Sequence, residues 1–120
     1  MDYCVTSEDI ESIFGSKCRV MLYNQLSNIP NLMKFLSRVK FLFVLYNYAD
    51  DFGHWIVLFK SPKYKNTVEF FDSYGTKPDY QLMEFTPLQR EDNGMDYPAL
   101  TELFLRGKCK VEYNDAPYKN

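Results

Sequence analysis

The stretch from Phe41 to Asp72, FLFVLYNYADDFGHWIVLFKSPKYKNTVEFFD, decides the fold of this chain. Two runs, Phe41–Tyr46 and His54–Phe59, are apolar at both odd and even positions, which predicts two strands in the interior of a sheet. Polar residues and a glycine separate these runs. A turn over Ser61–Asn66 then leads into a third strand, Thr67–Asp72. Together the three segments predict an antiparallel unit at the centre of the fold.

Helical and extended patterns alternate on the amino-terminal side of this unit. Upstream, the predicted elements are a helix from Thr6 or Ser7 to Gly15, a strand at Arg19–Tyr23, a loop at Asn24–Asn31 and an amphipathic helix at Leu32–Lys40. The first helix has acidic residues in its first turn and an apolar stripe, and the second has apolar residues at helical spacing.

The carboxyl-terminal side carries one clear helix. Thr76–Asn93 has few strong signals and predicts loop with some helix. Asp96 is the expected cap of the next helix, with Pro98 in its first turn and Gly107 at its end. An edge strand over Lys108–Tyr113 follows. The fold class is therefore α+β, a single domain over residues 1–120 with a central mixed, mainly antiparallel sheet flanked by helices.

Composition excludes several classes of protein. A length of 120 residues suits one domain, and a hydrophobic content of 46% argues against a disordered chain. The net charge of −2 predicts no electrostatic footprint for nucleic acid, and no apolar run approaches the roughly 20 residues of a membrane span. Three cysteines without short spacing indicate free thiols in a reducing compartment. No metal site or cofactor is expected.

The only histidine, His54, lies near Asp72 in the predicted hairpin. If Lys60 opposes Thr67, His54 lies opposite Ser73, and a slip of one residue places it across from Asp72. A carboxylate beside an imidazole fixes its tautomer and stabilises the imidazolium, which is the base-and-orienter half of a catalytic triad. The alternative is a polar pair with a purely structural role.

Three short motifs resemble a known family. The string Gly53-His54-Trp55-Ile56-Val57-Leu58-Phe59 resembles the histidine strand of adenovirus-protease-like cysteine proteases, the superfamily that includes the SUMO-specific proteases. Val68-Glu69-Phe70-Phe71-Asp72-Ser73-Tyr74-Gly75 is similar to the acidic strand of that family. Leu22-Tyr23-Asn24-Gln25-Leu26 resembles the segment in which such proteases carry an aspartate or asparagine before Gln-Leu. The last predicted helix and strand match the elements that lead to the nucleophile.

The resemblance implies a function and a set of site residues. His54 would be the general base, Asp72 its orienting carboxylate, and Trp55 would line a narrow cleft for small residues before the scissile bond. The alternative for Trp55 is a core residue of a central strand. The implied protein is a papain-like, adenain-like thiol protease of a large DNA virus or virophage. It would cleave capsid or scaffold precursors in the virion, or in the cytoplasm or nucleus of the infected cell.

The nucleophile of that family is not found in these residues. Neither a glutamine for the oxyanion hole nor a Cys-Gly follows Tyr113. Cys4, Cys18 and Cys109 are expected to be plain free thiols. A C-terminal segment or a second chain would then supply the cysteine. The alternative is a catalytically inactive, protease-like virion structural or peptide-binding module.

The expected partner is a protein or peptide substrate. The lysine-rich turn of Lys60, Lys63 and Lys65 is read as a solvated turn, so nucleic acid is not an expected partner, and neither is a membrane. The tyrosines at positions 74, 80, 97, 113 and 118 could form a protein-binding surface or half-buried packing.

Overall fold

The computed structural model describes residues 8, 12, 15–49, 52–72, 75, 77–80, 82, 86–92, 94–95 and 97–113. Within these ranges lie five strands: β1 Cys18–Leu22, β2 Phe41–Ala49, β3 Phe52–Lys60, β4 Thr67–Asp72 and β5 Lys110–Tyr113. The helices are α1 Leu32–Arg38, α2 Pro87–Asp92 and α3 Ala99–Gly107, with 3-10 helices at Gly15–Lys17 and Tyr23–Asn28.

The sheet has the order β1-β2-β3-β4-β5. The two central pairings, β2 with β3 and β3 with β4, are antiparallel, whereas both edge strands pair in parallel with their neighbours. The α+β class and the mixed sheet are confirmed. The expected excess of antiparallel pairing holds only for the three central strands, because β1 and β5 are each reached from the central unit through a helix rather than a tight turn.

One face of the sheet is covered by helices and forms the core. Alternate side chains of β2, β3 and β4 project onto this core face, as the two-residue period of a strand requires. They pack against the 3-10 helix Tyr23–Asn28, α1 and α3 in one hydrophobic cluster that includes Leu42, Val44, Tyr46, Ile56, Leu58, Val68 and Phe70. The side chains on the opposite face, including Phe43, Trp55 and Phe71, are half-buried.

Helix α1 begins one residue after Asn31, whose side-chain oxygen accepts a hydrogen bond from the Lys34 N–H. Such an N-terminal cap satisfies one of the backbone donors that a helix leaves unpaired. The helix ends at Arg38, two residues before the end that the sequence pattern predicts. Its buried side chains, Leu32 and Leu36, lie one turn apart and face the core.

Helix α3 shows a difference from the predicted boundaries. It begins at Ala99 with Pro98 in the capping position, so Pro98 lies outside the first turn where we expect it. Asp96, the expected cap, lies outside the described residues. The helix does end at Gly107, and Lys108 then adopts the left-handed conformation with φ 53°. Arg106 donates to the carbonyl oxygens of Ile29 and Leu26, which ties α3 to the preceding 3-10 segment.

Three further boundaries differ from the expectation. Strand β1 covers Cys18–Leu22 instead of the predicted Arg19–Tyr23. Residues 24–28, expected to be loop, continue a 3-10 helix, and β5 begins at Lys110 rather than Lys108. Of the predicted N-terminal helix only Glu8 and Ser12 lie among the described residues before Gly15, and both are helical. The predicted C-terminal tail lies outside the described residues.

Candidate active site

The β-hairpin registers bring the only histidine to an aspartate. Tyr46 of β2 pairs with His54 of β3, and Ile56 of β3 pairs with Asp72 of β4. His54 is two residues before Ile56, so both side chains project onto the core face and His54 lies diagonal to Asp72. The distance from His54 Nε2 to Asp72 Oδ1 is 2.8 Å. The expected proximity of these two side chains is therefore confirmed.

The strand register that produces this contact differs from the expected one. Lys60 pairs with Val68, not with Thr67. The turn explains the shift, because the Ser61 N–H donates to the Thr67 carbonyl and Asn66 adopts a left-handed conformation with φ 54°. A shift of one residue reverses which side chains share a face. The observed register is what places His54 and Asp72 on the same face.

Both members of the dyad are buried, His54 with 6% and Asp72 with 1% of its surface exposed. Where the Asp72 carboxylate is ionised it can only accept, so the imidazole proton of this contact then lies on Nε2 and Nδ1 is the acceptor nitrogen. The carboxylate also stabilises the imidazolium when Nδ1 takes a second proton. The arrangement therefore leaves Nδ1 as the ring nitrogen that can accept a proton.

A tyrosine positions the imidazole from the neighbouring strand. The rings of Tyr46 and His54 stack with centroids 6.0 Å apart and an angle of 23° between their planes. Tyr46 is in turn stacked on Tyr23, at 4.9 Å. The three rings form a continuous stack in the core, which restricts rotation of the imidazole about its side-chain bonds.

Asp79 anchors the far end of this stack. Its backbone N–H donates to the Tyr46 hydroxyl, and its Oδ1 accepts from the Tyr23 hydroxyl. The same carboxylate accepts from the backbone N–H groups of Leu100 and Thr101 and from the Thr101 hydroxyl, which caps the beginning of α3. Asp79 therefore connects the ring stack to helix α3.

Burial raises the pKa of both tyrosines well above the usual range. For Tyr23, the hydrogen bond to Asp79 acts in the same direction as burial, and for Tyr46 the nearby negative charge of Asp79 does so. Both phenols therefore stay neutral at any physiological pH. Sequence reasoning missed this network. The only signal for Asp79 is Pro78-Asp79, a turn-like pair in a segment with few other signals.

Trp55 lies on the opposite face of the sheet from the dyad, because it is the strand neighbour of His54. It lines a shallow apolar depression of about 280 Å³ with Phe43, Val57 and Phe71. The structure thus does not bring the Trp55 side chain onto the face that holds His54 and Asp72. Its expected role as a substrate-binding residue stays a prediction.

The described cysteines lie apart from the dyad in the fold. Cys18 is buried at the start of edge strand β1, where its Sγ lies 3.5 Å from the Gly15 carbonyl oxygen. Cys109 precedes the opposite edge strand, and burial raises the pKa of its thiol. A raised pKa disfavours the thiolate, which is the nucleophilic form. Cys4 lies outside the described residues.

Two negative findings apply to the part of the chain that the structure describes. No helix there is both long and apolar enough to cross a membrane. No three or more His, Cys, Asp or Glu side chains of that part form a group that could hold a metal ion.

The chain is similar to a virophage protein. The "Uncharacterized protein V9" of Sputnik virophage is 32% identical over 112 residues, which cover 92% of this chain. The chain spans 62% of the length of that relative. No protein-family model matches the chain, and no solved structure matches it. The chain is therefore a distant homologue of a virophage protein whose name gives no activity.

Proposed function

We propose that this chain carries the base and the orienting carboxylate of a viral cysteine protease, which cleaves capsid or scaffold precursors after small residues. The buried 2.8 Å contact between His54 Nε2 and Asp72 Oδ1 is the observation that carries this proposal. The sequence resemblance to adenovirus-protease-like enzymes supports it, because the same two residues match the family's histidine and acid. The homology to a virophage protein supports a viral setting.

The proposed reaction needs a thiol beside His54, and neither Cys18 nor Cys109, the two described cysteines, lies there. We infer that a further segment of the protein or a second chain supplies it. The thiol proton passes to Nδ1 of His54, and the sulfur attacks the scissile carbonyl carbon. The imidazolium then gives this proton to the departing amine, which leaves a thioester. Water hydrolyses the thioester while Nδ1 accepts its proton, and that proton returns to the thiolate.

Asp72 acts through His54 in this scheme. Its negative charge favours the imidazolium that forms when the thiol loses its proton, and its hydrogen bond keeps Nδ1 directed away from the carboxylate. The stacked Tyr46 ring acts as a second positioning residue. Neither residue needs to touch the substrate.

A covalent probe tests the proposal. The protein from its complete reading frame, alone and together with the other virion proteins, is treated with a Gly-Gly peptide vinyl ester, and the labelled cysteine is located by mass spectrometry. We expect one label on a cysteine other than Cys4, Cys18 and Cys109. General-base catalysis typically contributes 100-fold or more, so His54→Gln should slow labelling about 100-fold.

The control variants separate catalysis from folding. His54→Gln is preferred over His54→Ala because it keeps a polar group beside the buried Asp72 carboxylate, and breaking a buried pair costs about 3 kcal/mol or more. Cys109→Ser should leave the labelling rate unchanged. Label on Cys4, Cys18 or Cys109 that is insensitive to His54→Gln would contradict the proposal.

A second candidate function is a protease-like module that binds peptide without cleaving it. The elevated pKa of the Cys109 thiol and the position of Cys18 on an edge strand favour it, since neither cysteine is activated or placed for attack. This module would bind an unreactive Gly-Gly peptide equally well before and after His54→Gln. No cysteine of the full protein would then react with the vinyl ester.

A further inference from the structure

A cavity of about 600 Å³ lies between edge strand β1, the loop before α1, and α1 itself. It does not involve the dyad, and none of its lining residues takes part in the proposed reaction. We name it the basic cavity because three cationic side chains line it, Arg19, Lys34 and Arg38. None of the described residues that line it is acidic.

The positive charge of the basic cavity is local. The chain as a whole has a net charge of −2, so these cations are not a sample of a generally basic surface. Lys34 and Arg38 lie one turn apart on the same face of α1, where two like charges repel and slightly destabilise a helix. An anion bound between them would remove that repulsion.

The guanidinium of Arg19 is held by an aromatic ring. It lies over Phe35 at 5.9 Å from the ring centroid, a cation–π arrangement that restricts an otherwise flexible side chain. Arg19 projects from β1 and Phe35 from α1, so the contact joins an exposed guanidinium of the strand to a half-buried ring of the helix. Less side-chain freedom is then lost when it binds a ligand.

Two of the amide side chains that line the basic cavity, Gln25 and Asn31, already use their oxygens as hydrogen-bond acceptors. Gln25 Oε1 accepts from the Leu22 N–H, and Asn31 Oδ1 accepts from the Lys34 N–H. With both oxygens bound to the backbone, the amide NH₂ groups are what these side chains can offer to a ligand. Ile29 also lines the cavity, and its carbonyl oxygen accepts from Arg106.

We propose that the basic cavity binds an organic polyphosphate of nucleotide size. Guanidinium groups pair with phosphate oxygens through two parallel hydrogen bonds, and amide NH₂ groups add further donors. Val20, Met21 and Phe35 are half-buried and line the cavity, which gives it apolar surface against which a flat ring can pack. The volume lies in the range of small-molecule sites, which favours a small ligand over a polymer.

Calorimetric titration of the protein with three probes tests this proposal. ATP carries both the phosphates and a flat ring, tripolyphosphate carries the phosphates alone, and adenosine carries the ring alone. We expect ATP to bind most tightly, tripolyphosphate to bind more weakly, and adenosine to show no binding. The proposal would be overturned if adenosine bound as tightly as ATP. It would also be overturned if neither ATP nor tripolyphosphate bound.

A matched pair of charge variants locates the site. Lys34→Glu with Arg38→Glu should weaken ATP binding about 30-fold or more, because two charge-assisted contacts become repulsive. Lys63→Glu with Lys65→Glu changes the net charge by the same amount at an exposed turn that does not line the basic cavity, and should leave binding unchanged. Equal weakening by both pairs would mean non-specific attraction and overturn the proposal. Displacement of ATP by hexaglutamate at equal concentration would show that the site selects ligands by negative charge alone. This result would also overturn the proposal of a phosphate site.

Discussion

Two buried or half-buried carboxylates of this protein differ in what they bind. Asp79 accepts hydrogen bonds from the Tyr23 hydroxyl, the Thr101 hydroxyl and two backbone N–H groups at the beginning of α3. None of these donors changes charge near neutral pH. Asp72 instead contacts His54, whose imidazole has one nitrogen that donates and one that accepts.

The difference separates a structural role from a chemical one. A carboxylate that only stabilises the fold can accept all its hydrogen bonds from donors that keep the same charge near neutral pH. Asp79 is such a carboxylate. A carboxylate bonded to an imidazole also controls where a proton is held. Asp72 therefore fits the proposed reaction, while Asp79 fits an anchor for α3 and for the tyrosine stack.

The largest expected effect concerns Asp79. Asp79→Ala removes the carboxylate that accepts four hydrogen bonds. The Tyr23 hydroxyl and the N–H groups of Leu100 and Thr101 lose this acceptor. We therefore expect a loss of about 3 kcal/mol in the free energy of unfolding. Urea denaturation measures it. The control Thr101→Val removes one exposed hydroxyl donor and should cost about 1 kcal/mol.

Asp72→Asn is the matching variant at the other carboxylate. The amide oxygen can still accept from His54 Nε2, but its NH₂ group is a new buried donor. The free energy of unfolding should therefore fall by about 1 kcal/mol, less than for Asp79→Ala. Labelling by the vinyl ester should nevertheless slow about 100-fold, because the charge that stabilises the imidazolium is gone. Asp72→Asn could instead lose about 3 kcal/mol of stability, as expected for Asp79→Ala, and keep the labelling rate of the original protein. That result would show that Asp72 has only a structural role.

Alkaline pH should weaken the tyrosine stack. Tyr23 and Tyr46 have a pKa raised above the ordinary value of 10.0, so the folded chain keeps two protons that the unfolded chain loses above that pH. Stability is therefore fully present below about pH 10 and falls as the pH rises further, by at most about 1.4 kcal/mol per pH unit for each tyrosine. Denaturation at pH 9, 10 and 11 measures this slope.

Phenylalanine variants assign the alkaline slope to residues. Tyr46→Phe keeps the stacked ring and removes the ionisable hydroxyl, so the slope should become shallower. Tyr64→Phe, at a side chain that is 55% exposed, should leave it unchanged. The same slope in all three proteins would show that the stack does not govern the alkaline behaviour.

The smallest expected effect concerns Cys109. Its raised pKa predicts slow alkylation by iodoacetamide at pH 7 in the folded protein and faster alkylation in urea. Peptide mass spectrometry follows both rates. Faster alkylation in the folded state would show that Cys109 is an activated thiol. Cys109 would then be a candidate for the nucleophile that works with His54.

The sequence predicted the central strands well because their apolar runs are long and are bounded by clear turn residues. Thr67–Asp72 has the expected limits, and Phe41–Tyr46 and His54–Phe59 lie inside β2 and β3. It predicted the helix boundaries less well, because the start of α3 is stabilised by the distant Asp79 rather than by a neighbouring cap. Local patterns carry no information about such a contact.

The candidate site divides in the same way. The sequence alone determined that one histidine and one aspartate lie near the same end of a hairpin, because strand spacing follows from apolar pattern. Their register is set within the turn, by the backbone conformation at Asn66 and the Ser61–Thr67 hydrogen bond, and only the tertiary structure showed it. The tertiary structure also decided which side chains surround His54. Tyr46 stacks on its imidazole, and Tyr23 and Asp79, which contact Tyr46, come from separate segments. Contacts between distant segments depend on packing of the whole chain, and no local pattern specifies them.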